Sequence, residues 1–205
     1  MLEYTIEQEL WDKGYTAICG VDEAGRGPLC GPVVAAAVIL PRGVYIEGLN
    51  DSKKISPKKR DELFDKIREV AVAYSIVEGS VEEINSTNIL QATMNAMRRA
   101  ISSLNVNADF ALVDGNIARD FPVEVKTVVH GDAISPSIAA ASILAKVTRD
   151  RLCIEMDKQF PVYNIAKHKG YGTKEHMDAL RKYGAEPTIY RTKFIRFLDN
   201  ENEND

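Results

Sequence analysis

The chain has 205 residues, 45% of them hydrophobic and 27% charged, which is enough apolar material to bury one full core as a single domain. No stretch approaches the roughly 20 apolar residues of a membrane span, and the N-terminus lacks the basic-then-apolar pattern of a signal peptide, so a cytoplasmic protein is expected. The net charge of −4 does not exclude a nucleic-acid partner, because the polar tail from Asp199 to Asp205 holds four of the acids and the remainder sums to zero.

That tail is expected to be disordered and solvating. Cys19, Cys30 and Cys153 lack Cys-x-x-Cys spacing and suggest buried thiols rather than a disulfide framework or a zinc site.

In chain order, Thr5 to Lys13 reads as a short amphipathic helix with Ile6, Leu10 and Trp11 on one side, lying over the sheet. The apolar run Tyr15 to Cys19 predicts a buried strand, with Asp22 and Glu23 where it leaves the core. Two adjacent carboxylates are costly to bury unpaired, and they share one ligand only if the strand twists or ends between them. Gly25 and Gly27 supply backbone freedom around Arg26, whose guanidinium is a fixed fork of donors. The stretch therefore reads either as a metal-binding acid pair beside an anion- or hydroxyl-reading loop, or as an Asp-Glu turn with glycines for bending. It is neither a Walker loop nor a dinucleotide fingerprint.

Val33 to Leu40 predicts a second strand, antiparallel to the first across a short connection. Lys53 and Lys54 fall in a loop just ahead of a helix N-terminus, a place suited to phosphate oxygens, although paired lysines are also an ordinary solvated surface. Ser56-Pro57 opens a helix to Val70 with Leu63, Phe64, Ile67 and Val70 on one face, and Ala71 to Val77 predicts a third strand. Ser80 and Glu83 have capping-box spacing, from which one long helix is expected up to about Leu104. Phe110 to Asp114 and Pro122 to Val129 predict two more strands, followed by Gly115 and by His130-Gly131-Asp132.

Three strands thus end alike, in an apolar run with a carboxylate and a glycine. Ligands collect at the carboxyl ends of strands in open α/β sheets, so Asp22, Glu23, Asp114 and Asp132 could converge. Clustered carboxylates repel unless cations lie between them, and oxygen-only ligands suit Mg²⁺ or Mn²⁺; two such ions about 4 Å apart are the usual device for in-line phosphodiester cleavage. The alternative is four separate strand-end caps. Ser135-Pro136 opens a helix to about Gln159, apolar nearly all round in its first half and expected to be central. Beyond Pro161, Tyr171 stands between two glycines in a basic loop, free either to stack on a base or sugar or to pack on its own backbone; a helix from Lys174 to about Tyr183 and a basic, aromatic segment to Leu198 complete a small clamp.

Taken together and in order, Gly-Val-Asp22-Glu23-Ala-Gly25-Arg26-Gly27-Pro, Leu-Asn50-Asp-Ser-Lys53-Lys54, Asp114-Gly115-Asn116, Gly131-Asp132, Ala-Ala-Ser-Ile-Leu-Ala-Lys146-Val-Thr-Arg-Asp150 and His168-Lys169-Gly170-Tyr171 resemble ribonuclease HII, the bacterial type 2 ribonuclease H. The resemblance runs from about Ile18 to Phe194 and implies an α/β, ribonuclease H-like mixed five-stranded sheet flanked by helices, with a helical C-terminal extension. It implies a catalytic domain over 1–160, a substrate-binding extension over 161–198, and the tail 199–205. It implies a monomer that cleaves RNA·DNA hybrids and duplex DNA containing a ribonucleotide, on its 5′ side, leaving 3′-hydroxyl and 5′-phosphate ends. Asp22, Glu23, Asp114 and Asp132 match the family's catalytic metal-binding carboxylates, for two Mg²⁺ or Mn²⁺ ions. Gly25, Arg26 and Gly27 match the loop that reads the 2′-hydroxyl, Tyr171 the tyrosine that stacks on the sugar, and Lys53 and Lys54 a basic motif near the nucleic-acid backbone. His130, Tyr190 and Lys193 depart from the family pattern, which has Lys before Gly-Asp and His and Ser around Arg191. Ribonuclease HIII, which carries an added N-terminal domain, and a non-catalytic nucleic-acid-binding module are the competing readings; a small-molecule phosphotransferase lacks a nucleotide-cradling loop.

Overall fold

The computed structural model describes residues 2–50, 52 and 55–198, and Lys53, Lys54 and the acidic tail lie outside them. Seven α-helices and five strands are described, in the order α1 (Thr5–Asp12), β1 (Ile18–Ala24), β2 (Val33–Ile39), α2 (Pro57–Val70), β3 (Ala73–Gly79), α3 (Val81–Ser86), α4 (Ile89–Ser102), β4 (Phe110–Asp114), β5 (Glu124–Val128), α5 (Pro136–Gln159), α6 (Ile165–His168) and α7 (Lys174–Tyr183). The strands form one mixed sheet in the order β3-β2-β1-β4-β5. β1 pairs antiparallel with β2 and parallel with β4, β2 antiparallel with β3, and β4 parallel with β5. No helix among the described residues is long and apolar enough to cross a membrane.

Alternation along the central strands divides the core between the two faces. On one face Val34, Ala36 and Val38 pack with Ala139, Ala140, Ile143 and Leu144 of α5 and with Leu63, Phe64 and Ile67 of α2. On the other, Cys19, Val21, Ala35, Ala37 and Ile39 pack with Met94, Met97, Ala100 and Ile101 of α4. α5 sits tightly on β1 at Gly20, where an added Cβ would fall 2.0 Å from the Ser137 carbonyl carbon. Its N-terminus is capped by Ser135, whose hydroxyl accepts from the Ile138 amide. All three cysteines are free and buried, as their scatter suggested.

β1 leaves the core at Asp22 and Glu23, as expected, and runs on to Ala24, because β2 keeps pairing with it through Glu23↔Ala35 and Ala24↔Val34. One expectation is corrected. The long helix from Ser80 is two helices, α3 and α4, broken at Thr87 and Asn88. Thr87 turns its hydroxyl back to the Glu83 carbonyl at 2.6 Å, and Asn88 accepts from the Gln91 amide at 2.9 Å to start the second helix. Such side chains offer the backbone alternatives to helical bonds, which favours caps over helix interiors.

Candidate active site

The carboxyl ends of β1 and β4, parallel neighbours, bring Asp22, Glu23 and Asp114 to one cavity of about 200 Å³. Gly25, Ser52, Ser142, Lys146, Arg149 and Tyr171 complete its lining. A larger cavity, about 570 Å³, lies elsewhere among Tyr4, Val44, Tyr45, Leu49 and Pro136 and contains no charged side chain, whereas the smaller one gathers three carboxylates.

Asp22 is 5% exposed. Burial, followed by the charges of Glu23 and Asp114, pushes its carboxyl well above the ordinary range, while the Glu23 amide at 2.7 Å and the Ser142 hydroxyl partly offset this. Asp114 accepts from the Gly131 amide at 2.7 Å, which fixes the turn after β5 against the end of β4. Asp132 follows directly in that turn and is itself buried, although it does not line the cavity. Glu23 pairs with Arg26 at 3.4 Å, with the guanidinium half exposed. Among the described residues no three His, Cys, Asp or Glu side chains already converge as a cage for an ion. The donor set nevertheless suits a hard divalent cation: it is oxygen-only, and a cation would offset the burial and the neighbouring Glu23 and Asp114 charges that raise Asp22.

The neighbouring loops are held by buried donors. An added Cβ on Gly25 would fall 1.9 Å from Arg149 Nε, and the φ of +98° at Gly25 favours glycine independently. Arg149 is 2% exposed and donates to the Lys169 carbonyl at 2.9 Å and the Cys30 carbonyl at 3.2 Å, so it joins the Gly25 loop to the one before Tyr171. Gly27 lies against the Tyr171 ring, 3.4 Å from a would-be Cβ, and that ring is 50% exposed. Lys146 reaches Asp150 at 2.7 Å, and Ser52 and Ser142 share a hydrogen bond at 2.9 Å.

Of the sequence-predicted residues, the structure thus gathers Asp22, Glu23, Asp114, Gly25 and Tyr171 around one cavity, with Arg26, Gly27 and Asp132 beside it. Lys53 and Lys54 lie outside the described residues. Ser142, Lys146 and Arg149 stood in a motif that carried the resemblance, but sequence reasoning gave them no role in the site. Their spacing of four and then three residues, starting in the apolar first half of the helix, was a visible signal, since such positions share one face. Two of the departures are used internally: Tyr190 is buried and bonds His176 at 2.7 Å, and Lys193 donates to the Thr87 carbonyl at 2.5 Å. His130 is exposed, with φ of 56°.

Residues 19–197 match the family model described as Ribonuclease HII. A Ribonuclease HII of Acetivibrio thermocellus is 52% identical over 190 residues, 93% of this chain and 74% of that protein. The ribonuclease H2 of Pyrococcus horikoshii superposes with a TM-score of 0.76 at 25% identity, over 93% of this chain and all of that one. Bst-RNase HIII in complex with Mn²⁺ shares the fold, with a TM-score of 0.67 at 16% identity over 94% of this chain and 72% of that one.

Proposed function

The chain belongs to the ribonuclease HII family and is a ribonuclease H, and from that premise we propose that it cuts the RNA strand of RNA·DNA hybrids and incises duplex DNA on the 5′ side of a single embedded ribonucleotide. The products are 3′-hydroxyl and 5′-phosphate ends. The observation that carries this reading is the convergence of Asp22, Glu23 and Asp114 on one cavity whose edge holds Gly25 and Tyr171.

Asp22, Glu23, Asp114 and Asp132 would hold two divalent cations, Mg²⁺ or Mn²⁺, which when bound supply a water of lowered pKa and stabilise the leaving 3′ oxygen. The protein's own residues orient the substrate. Gly25, Arg26 and Gly27 read the 2′-hydroxyl, the group that distinguishes RNA from DNA. Tyr171 stacks on the sugar beyond the junction, for which its exposed ring beside Gly27 is suitably placed. Lys53 and Lys54 grip the nucleic-acid backbone, a role that rests on their motif. Residues 1–160 then carry the chemistry and 161–198 the added substrate contacts.

The test is an end-labelled DNA duplex with one ribonucleotide, beside an all-DNA duplex, with wild type and Asp114→Asn in Mg²⁺ or Mn²⁺. Asparagine keeps an oxygen to accept from Gly131, so the fold should survive. A single cut 5′ to the ribonucleotide is expected from wild type, falling on the order of 10²- to 10³-fold or more in the variant. Folded wild type that cuts nothing with either metal would overturn the reading.

A further inference from the structure

Arg191 is completely buried, yet its hydrogen-bonding partners are five main-chain oxygens of a single loop rather than a carboxylate. Its Nε donates to Gly31 at 2.9 Å, one terminal nitrogen to Arg26 at 3.0 Å and Pro28 at 2.8 Å, and the other to Gly25 at 2.7 Å and Pro32 at 3.2 Å. A guanidinium has five N–H donors, so these acceptors saturate it. Burial above all, with Arg149 nearby, lowers its pKa only to about 10, and it remains charged near neutrality. A buried charge is expensive unless fully hydrogen-bonded, and here carbonyl dipoles do that work.

The arrangement has a geometric consequence. In a trans peptide the C=O of one residue and the N–H of the next point in opposite directions. Carbonyls of Gly25 and Arg26 turned towards Arg191 therefore turn the N–H groups of Arg26 and Gly27 away from it. The same relation is visible at Pro28, whose carbonyl faces Arg191 while the Leu29 N–H reaches the Gly170 carbonyl at 2.8 Å. Successive N–H groups on one side of a glycine-flanked loop make a receptor for an anion or a hydroxyl oxygen. The residue before Arg191 serves the other reading element. His176 Nδ1 donates to the Tyr171 carbonyl at 2.9 Å, which accepts only, so Nε2 accepts from the Tyr190 hydroxyl at 2.7 Å.

We propose that Arg191 is a positioning residue for ribonucleotide recognition, acting from the C-terminal segment without touching substrate by setting the peptide planes that aim the Arg26 and Gly27 N–H groups at the 2′-hydroxyl. This rests on the role given above to the Gly25–Gly27 loop. Arg191→Lys keeps the charge but loses the fork, so it should discriminate poorly while still folding. Kd is measured in Ca²⁺ for duplexes with and without one ribonucleotide, and kcat/KM in Mg²⁺, at a temperature where circular dichroism shows both proteins folded. The expected result is a fall of about tenfold or more in kcat/KM and in the Kd ratio between the duplexes, with all-DNA affinity within about twofold of wild type. A folded Arg191→Lys with lowered Tm but the wild-type Kd ratio would reduce Arg191 to a structural prop and overturn the proposal. Wild type that cuts while the variant discriminates normally sinks this inference alone; wild type that does not cut sinks the functional reading beneath it. Should Arg191→Lys fail to fold, ¹⁵N-arginine spectra of wild type decide: terminal N–H signals of Arg191 protected from exchange, with and without the ribonucleotide duplex, support the clamp. Exchange as rapid as that of half-exposed Arg26 overturns it.

Discussion

Gly25 occupies the narrowest position in the candidate site, between the end of β1 and the Arg149 side chain. Its carbonyl is taken by Arg191 at 2.7 Å, its φ is +98°, and a Cβ would overlap Arg149 Nε. Gly25→Ala must therefore displace Arg149, which also holds the Lys169 carbonyl, and should cost about 1–3 kcal/mol of stability in urea denaturation. Cleavage of the one-ribonucleotide duplex should fall about 100-fold, because a misplacement of about 1 Å is enough for that; a wild-type rate would refute the role given to this loop. Tyr171 makes the complementary case. Its ring is half exposed, and under the proposed stacking role Tyr171→Phe should bind the duplex as wild type does, while Tyr171→Ala should lose roughly 1–3 kcal/mol in Kd measured by anisotropy. Equal losses in both would place the contribution in the hydroxyl and not in stacking.

At the scale of elements, α5 decides the geometry, because it carries Ser142, Lys146 and Arg149 and its N-terminus lies on β1 at Gly20. Ser135 is its cap, but the hydroxyl also donates to buried Glu7 at 2.6 Å, and Glu7 accepts from the Ser137 amide at 3.2 Å. A carboxylate from α1 thus sits at the positive end of α5, a favourable place for it. Ser135→Ala should destabilise the protein by about 2–3 kcal/mol, combining a lost cap with a less satisfied buried carboxylate, and Tm by calorimetry checks this. A change within about 0.5 kcal/mol would mean that Ser137 and water hold Glu7 unaided. α5 was legible to the residue because Ser135-Pro136 and Pro161 mark its ends. The break between α3 and α4 was written in the sequence but passed over: Asn85-Ser86-Thr87-Asn88 are four polar residues in succession, a breaker signal that the capping-box start at Ser80 outweighed, and their hydroxyl and amide bonds to the backbone end one helix and start the next. Glu7 was not legible: on an eight-residue amphipathic helix nothing separates a capping carboxylate from a solvated one until α5 is in place.

Across the whole molecule, the sheet and the carboxylate cluster could be read from runs of apolar residues ending in Asp or Glu, because strand period and strand polarity are local properties. What joins the C-terminal segment to the sheet could not. Arg191 bonds carbonyls some 160 residues away, and carbonyls carry no sequence signature. The same segment holds a buried titratable link, His176, completely inaccessible and stacked on His168 with ring centroids 4.1 Å apart. Burial mainly, with the charge of His168, lowers its pKa from 6.5 to about 4 despite the opposing bond to the Tyr171 carbonyl. The unfolded chain therefore takes up this proton first as pH falls, so the stabilisation is complete above about pH 6.5 and is lost as pH drops through about 4. Between pH 7.5 and pH 5 the loss from this one group is on the order of 2 kcal/mol, measurable as a lower urea midpoint. Other groups, the raised carboxyl of Asp22 among them, are common to both proteins, so the comparison that isolates the histidine is His176→Asn, which can still donate towards Tyr171 but cannot take up a proton. Its stability should start lower than wild type at pH 7.5 and change by less than about 1 kcal/mol down to pH 5. An equal slope in both proteins would show that His176 is not what makes the C-terminal clamp acid-sensitive, and would move the search to the carboxylates of the cavity.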